Sequence, residues 1–474
     1  MKRWAILWLL AIVVCAAAVF SRTAPPNIVL IVIDTLRADR LGANGNGRGL
    51  TPFIDSLAAR GYVFRNAYAQ CSWTNPSVAS IMTSRFQSQH GIVAFESVLA
   101  DSEVTLAEVL KQRGYVTGFF SANGLLAKKF GFAQGYDEFQ SLLVRPGDGR
   151  GHPGVPERAA RINGDALAWL DRTAQARAAS APVFLHLHYM EPHYPYAPRA
   201  EALDHVADGH DRPDVNEANA AAVFGHVKPL TLPVLGNLQD VYDAEVLSID
   251  TELRALFAEL ERRHFLDHAI VVLTADHGEE FMEHDHIGHE QTLFQELVRV
   301  PLLVLVPGHS QRTDVDQVVS LIDVAPTLVD LAGAPRPPSF EGHSWKGTLV
   351  RDPSWWRFLA WRDGMRQEPG AGFAYSELIK PPDRNAKRVT PHEHAVVWGS
   401  HKLIVGIDGE REFYDLAADP GEKDPNGLTD GARTELQARY EIIRARAQAD
   451  AAPQAMHPLD AVTRERMHAL GYDQ

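Results

Sequence analysis

The strongest apolar signal along the chain is a run of six aliphatic residues, 28–33, closed at once by Asp34. Its Ile and Val content and its lack of polar alternation predict a β-strand buried on both faces, as inside a parallel sheet. Residues 269–275 repeat the form and end in Asp276. Weaker runs at 115–121, 182–186 and 301–306 predict further strands. Helical periodicity falls between them. Thr51-Pro52 opens one helix, with Thr51 as N-cap and Pro52 at the first helical position, and Phe53, Ile54, Leu57 and Ala58 share a face before Gly61 ends it. The longest predicted helix covers 241–263, where Val246, Ile249, Leu253, Leu256 and Leu260 recur every three or four residues.

Strands alternating with helices predict an α/β fold, a doubly wound, mostly parallel sheet over residues 25–335. Past the Pro-rich stretch 334–338 the pattern changes. Residues 395–405 read as strand with a Gly399-Ser400 turn, Asp408-Gly409 as a hairpin turn, and 413–416 as strand. A polar helix carrying Leu436, Tyr440 and Ile443 closes the chain. Residues 336–474 therefore read as a smaller C-terminal α+β unit. Segments 143–157 and 200–236, rich in Gly, Pro, Asp and Ala, read as long loops that shape a substrate site.

Residues 1–24 stand apart. Lys2 and Arg3 precede an apolar run from 4 to 20, the pattern of an export signal, either cleaved near Ala16–Ala18 or kept as a single membrane anchor. Val14 before Cys15 speaks against a lipoprotein. The implied location is periplasmic, secreted or membrane-anchored.

Composition removes several classes. The 474 residues carry a net charge of −14 and no basic patch, which argues against nucleic acid as a partner. Cys15 and Cys71 are the only cysteines, so a disulfide framework, a Cys-based zinc site and an iron–sulfur cluster are excluded.

In an open parallel sheet, ligands bind beyond the carboxyl ends of the strands. There the chain places Asp34, then Asp276-His277, then His186, His188, Glu191 and His193. Carboxylates and imidazoles meeting at strand tips suit a divalent cation. Thr74 stands just ahead of a helix that Asn75-Pro76 starts, where free N–H groups favour an anion. A hydroxyl in that place, next to a metal, can attack a tetrahedral ester. Read as an N-cap, the same hydroxyl is only structural. His284, His286 and His289 form a metal-capable loop that follows Asp276-His277 and reads as part of the same pocket. Arg37, Asn123, Lys128 and Lys129 are weaker candidates for anion contacts.

Taken together these residues resemble the sulfatase family of the alkaline phosphatase superfamily. The matching stretches include NIVLIVIDTLRADRLG at 27–42, HYMEPHYPY at 188–196, TADHGEEF at 274–281, GHEQTLFQELVRVP at 288–301 and FYDLAADPGE at 413–422. The resemblance implies a metal-dependent hydrolase of phosphate or sulfate esters. By the same match, Asp34, Asp276, His277 and Thr74 are metal ligands, Thr74 is also the nucleophile, and His193 and His289 contact the ester or its leaving oxygen. It implies one divalent ion, manganese, zinc or calcium, with room for a second on His193, His284 or His289. The expected partner is a small-molecule, lipid or glycan ester.

Two departures change the expected chemistry. Sulfatases make a formylglycine from Cys or Ser in a C/S-x-P-x-R motif, whereas this chain has Thr74, Asn75, Pro76, Ser77 and Val78. Threonine cannot become formylglycine, and the motif arginine is absent. Thr35 and His277 replace a carboxylate and an amide common in calcium-binding members. These changes favour phosphate over sulfate, and manganese or zinc over calcium. A membrane phosphoethanolamine- or phosphoglycerol-type transferase and a non-catalytic sulfatase-like binding protein are the alternative readings.

Overall fold

The computed structural model describes residues 25–141, 159–176, 181–225, 230–350, 372–379, 393–449, 455–459 and 464. The leader and the segment 143–157 lie outside the described residues.

Eight strands form the central sheet: β1 Asn27–Ile33, β2 Tyr62–Tyr68, β3 Val116–Ser121, β4 Glu138–Ser141, β5 Val183–Tyr189, β6 Ala269–Ala275, β7 Arg299–Leu305 and β8 Thr313–Ser320. Their order is β8-β2-β7-β6-β1-β5-β3-β4. β1 lies at the centre, parallel to β6 on one side and to β5 on the other. Every residue from Ile28 to Ile33 is without exposed surface, which is why the run needs no polar face. One strand breaks the parallel pattern: β7 runs antiparallel to both β6 and β2.

The first helix, α1 Pro52–Ala58, begins where Pro52 predicts, but the Thr51 side chain does not cap it. Its free N–H groups are met from another element. The Asp250 carboxylate accepts from Phe53 N at 3.0 Å and Ile54 N at 2.8 Å. Thr51 Oγ1 instead accepts from Gly42 N and meets Asp55. Next in the chain comes α2 Thr74–Thr83, all of whose residues are buried.

The segment 200–236 is not the loop its composition suggests. It holds α3 Ala200–Ala207 and α4 Val215–Phe224, and the long helix α5 Leu232–Arg262 begins nine residues earlier than its periodicity implies. In α4 the apolar positions are mostly alanine, whose contrast with polar neighbours is too weak to mark a face.

A second, antiparallel sheet consists of β9 Phe373–Leu378, β10 Glu393–Trp398, β11 His401–Val405 and β12 Arg411–Asp415, in that order. Its alternation is two-sided. Ala395, Val397 and Ile404 pack with Tyr68, Cys71, Trp73, Leu293 and Leu297, directly behind segments that form the site. Val396, Leu403 and Val405 pack with Leu436, Tyr440 and Ile443 of α6 Asp430–Ala449. The architecture is thus a mostly parallel, helix-covered sheet braced by a smaller antiparallel one.

Candidate functional site

Asp34 follows β1 directly, and Asp276 and His277 follow β6, so adjacent parallel strands deliver all three to one edge of the sheet. One donor atom from each lies within 4.8 Å of the others. All three residues are without exposed surface. His277 Nε2 stands 3.5 Å from Asp34 Oδ1 and 3.8 Å from Asp276 Oδ2. Gly278 lets the chain turn here: a Cβ at that position would fall 1.9 Å from the Glu296 carbonyl oxygen.

Thr74 is the first residue of α2, one step further in than the sequence implies, and Trp73 holds the cap position without a side-chain bond. Its Oγ1 lies 3.4 Å from His277 Nε2, close enough to the Asp34 carboxyl to favour its charged form. Ser77, one turn on, donates to the Asp276 carbonyl at 2.6 Å and ties α2 to the β6 tip.

The electrostatics favour a positive charge among these groups. Burial pushes the Asp34 carboxyl well above the ordinary carboxylate range, and neighbouring Asp276 pushes it further. Burial opposes ionisation of Asp276 too, but His277 and His188 outweigh it and hold that carboxyl low. Burial pushes the His277 imidazole below its ordinary range, against the pull of Asp276. Its Nδ1 donates to the Gly278 carbonyl at 2.9 Å, so Nε2 presents a lone pair to the carboxylates. Asp34 Oδ2 accepts from Asn123 Nδ2 at 3.0 Å, whereas Asp34 Oδ1 accepts no hydrogen bond among the described residues. A buried carboxylate oxygen left open beside an imidazole lone pair and a second carboxylate fits a divalent cation.

Two imidazoles complete the rim. His289 lies with its ring centroid 4.6 Å from His277 and 5.0 Å from His193. His289 Nδ1 bonds Glu279 Oε1 at 3.0 Å, while His193 Nδ1 donates to the carbonyl of Tyr194.

Other candidates part company. His284 is not with this group; it stacks on Phe294 at 3.5 Å and forms a second cluster with Glu280 and Glu296. Its ring nitrogens meet Glu296 Oε1 and the Glu422 carbonyl. Arg37 bonds Asp39, Glu283 and the Glu279 carbonyl, so its charge is matched by the protein's own carboxylates. Lys128 is exposed, and Lys129 lies over the Phe130 ring. Asn123 belongs to the centre, as a donor to Asp34 rather than to a ligand.

His188, one of the strand-tip histidines of the sequence reading, lies near the end of β5 and reaches Asp276 Oδ2 at 3.4 Å across β1. Two further participants, Glu279 and Tyr242, have no role in that reading. Glu279 was hidden inside an acidic loop. Tyr242, from α5, donates to the Thr35 carbonyl at 2.7 Å and accepts from Arg37 N at 3.1 Å. That clamp matters because Thr35 has φ 57°, a left-handed conformation costly for a β-branched residue.

Comparison with known proteins identifies the family. The family model described as Sulfatase matches residues 26–334, and that described as N-sulphoglucosamine sulphohydrolase, C-terminal, matches 283–441. An arylsulfatase of Clostridium perfringens is 26% identical over 475 residues, covering 88% of this chain and 93% of that protein. Human arylsulfatase A is 27% identical over 513 residues, covering 93% and 92%. Among solved structures, a protein in complex with its substrate D-glucosamine-2-N,6-O-disulfate superposes with a TM-score of 0.69 at 21% identity, over 90% of this chain and 99% of that one. The phosphonate monoester hydrolase of Agrobacterium radiobacter gives 0.69 at 21% identity, over 89% and 96%. With a family match spanning the whole central sheet and its site, this chain belongs to the sulfatase family.

Proposed function

We propose that this ester hydrolase of the sulfatase family uses Thr74 as its nucleophile and prefers phosphate to sulfate esters. The supporting observation is the Thr74 hydroxyl at the start of a buried helix, 3.4 Å from His277 Nε2 and beside Asp34. Asp34, Asp276 and His277, with Thr74, would hold a divalent cation. When bound there, such an ion lowers the pKa of a neighbouring hydroxyl and offsets charge on the ester. Thr74 attacks the tetrahedral centre, and the free N–H groups at the start of α2 favour the anion it forms. His289 gives a proton to the leaving oxygen and takes one back from the water that frees Thr74. His193 helps to hold the ester.

The preference for phosphate rests on the nucleophile. A sulfated threonine is cleared slowly, since water attacks that sulfur poorly and threonine offers no second hydroxyl to expel sulfate. A phosphorylated threonine is open to in-line attack by water. The arylsulfatase relatives favour the other ester, so the deciding experiment compares aryl phosphate, phosphate diester and aryl sulfate, each with manganese, zinc and calcium. Faster turnover of aryl sulfate under every metal refutes the phosphate preference. Faster turnover of the diester moves the substrate class from monoester to diester.

The substrate class that fits is a small-molecule, lipid or glycan ester. Lys2, Arg3 and the apolar run after them support export, with residues 1–24 as signal or anchor. We read 25–335 as the catalytic unit and 336–474 as its brace.

A further inference from the structure

Helix α2 carries five polar side chains, all of them buried. Four have partners. Thr74 faces His277, and Ser77 donates to the Asp276 carbonyl. Ser80 Oγ meets His90 Nε2 at 3.0 Å, and Thr83 Oγ1 donates to the Ala79 carbonyl at 2.7 Å. Asn75 is the exception. Neither its Nδ2 nor its Oδ1 bonds any group among the described residues, although the residue has no exposed surface. A buried amide in that state has lost its hydration and gained nothing in exchange. Leucine would fill the same space without that penalty. The amide makes sense if its partner arrives from outside the protein.

Helix geometry fixes the side on which Asn75 stands. Residues three, four and seven positions on share its face, and these are Val78, Ala79 and Met82. All three pack with Phe119 of β3 and with Leu126, in the segment that follows β3. Asn75 therefore heads an apolar stripe directed at that segment. Its Cβ tilts towards the helix start, which carries the amide to the level of Thr74. The segment opposite begins with Asn123, whose Nδ2 holds Asp34 Oδ2 at 3.0 Å and whose Oδ1 accepts from Leu125 N at 2.9 Å. Both ends of the Asn123 amide are engaged, whereas both ends of Asn75 are open. On its face of α2, Asn75 is the sole polar side chain.

We propose that Asn75 contacts the ester itself, its Nδ2 donating to a non-bridging oxygen of the tetrahedral group that Thr74 attacks. The inference rests on the reading of Thr74 as nucleophile. The contact is neutral and does not change with pH. It stands one turn before Val78, which occupies the place of the arginine in the formylglycine motif. A hydrogen bond of this kind strengthens as negative charge gathers on the oxygen, so it favours the transition state over the bound ester and acts on kcat. The open amide is a local loss of stability kept for turnover.

Activity and stability moving in opposite directions tests this. Wild type, N75A, N75L and T74A are compared for turnover of the p-nitrophenyl ester that the wild-type enzyme prefers, for inhibition by orthovanadate, which mimics the five-coordinate transition state, and for thermal midpoint. N75A and N75L are expected to lose about 100-fold in kcat, with KM little changed, and the inhibition constant of orthovanadate is expected to rise by a similar factor. N75L, which removes a buried amide without partners, is expected to melt at or above the wild-type midpoint. A purely structural Asn75 gives the reverse: a lower midpoint in N75L, with normal inhibition of the enzyme that stays folded. That result, or turnover in N75A within about twofold of wild type, overturns the proposal. Wild-type turnover in T74A overturns the nucleophile reading instead, whatever the Asn75 variants do.

Discussion

Thr74 Oγ1 and His277 Nε2 lie 3.4 Å apart, although 203 residues separate them in the chain. One comes from the first turn of a buried helix, the other from the tip of a strand, and the Ser77 bond to the Asp276 carbonyl fixes their spacing. This proximity makes the hydroxyl the expected attacking group.

On the proposed mechanism, replacing Thr74 with alanine removes the nucleophile and little else. Turnover of the preferred ester is expected to fall by about 10³-fold or more, with circular dichroism and thermal midpoint close to wild type. Thr74→Ser, which keeps the hydroxyl, should retain measurable activity. Wild-type turnover in Thr74→Ala would rule out the assignment.

Removing divalent ions with a chelator should abolish activity and lower the thermal midpoint. A ligand at 100 to 1,000 times its dissociation constant stabilises a fold by about 3–4 kcal/mol. The same treatment of Asp276→Asn should change its midpoint far less, because that variant lacks one of the proposed ligands. Calorimetry of both proteins with and without added manganese or zinc gives the comparison.

Asp250 caps α1 from a distance, and its burial raises its carboxyl from 3.8 to about 6. The folded state therefore holds this proton over a range where the unfolded chain has released it. Asp250 adds stability at low pH that is lost as pH rises from about 4 to about 6, by at most about 3 kcal/mol. Asp250→Asn has no such loss. Plotted against pH, the difference in stability between variant and wild type should shift in the variant's favour across that window; a flat difference would contradict it.

Lys402 and Glu422 form an ion pair at 2.7 Å with neither side chain exposed, and Lys402 also donates to the Leu293 carbonyl. Taking away one partner leaves a buried charge uncompensated. Lys402→Met should cost about 3–5 kcal/mol, and adding Glu422→Leu should restore part of it. Urea denaturation of the single and double variants measures the coupling.

Much of this was legible from local pattern. The run 28–33 is purely aliphatic, and 269–275 nearly so with Thr274 its one polar residue, because both faces of β1 and β6 are covered, and each is followed by a carboxylate at the edge where the candidate site lies. What depends on register across the sheet was not. His188 reaches Asp276 only because β5 and β6 flank β1 in parallel. Thr51 has the sequence of a cap, yet Asp250 does that work from a helix about 200 residues away. His284 shares a histidine-rich loop with His289, but stacking on Phe294 and bonding to Glu296 turn it to a different network.

The reversed direction of β7 has an evolutionary corollary. Because β6 leaves the sheet at the reactive edge and β7 re-enters beside it from that edge, the excursion 276–298 both starts and finishes there. It never has to traverse the barrel-less slab beneath. Lengthening or rewriting the middle of that excursion would alter the mouth while leaving the pairing of the central sheet untouched, a route by which one scaffold diversifies its clientele.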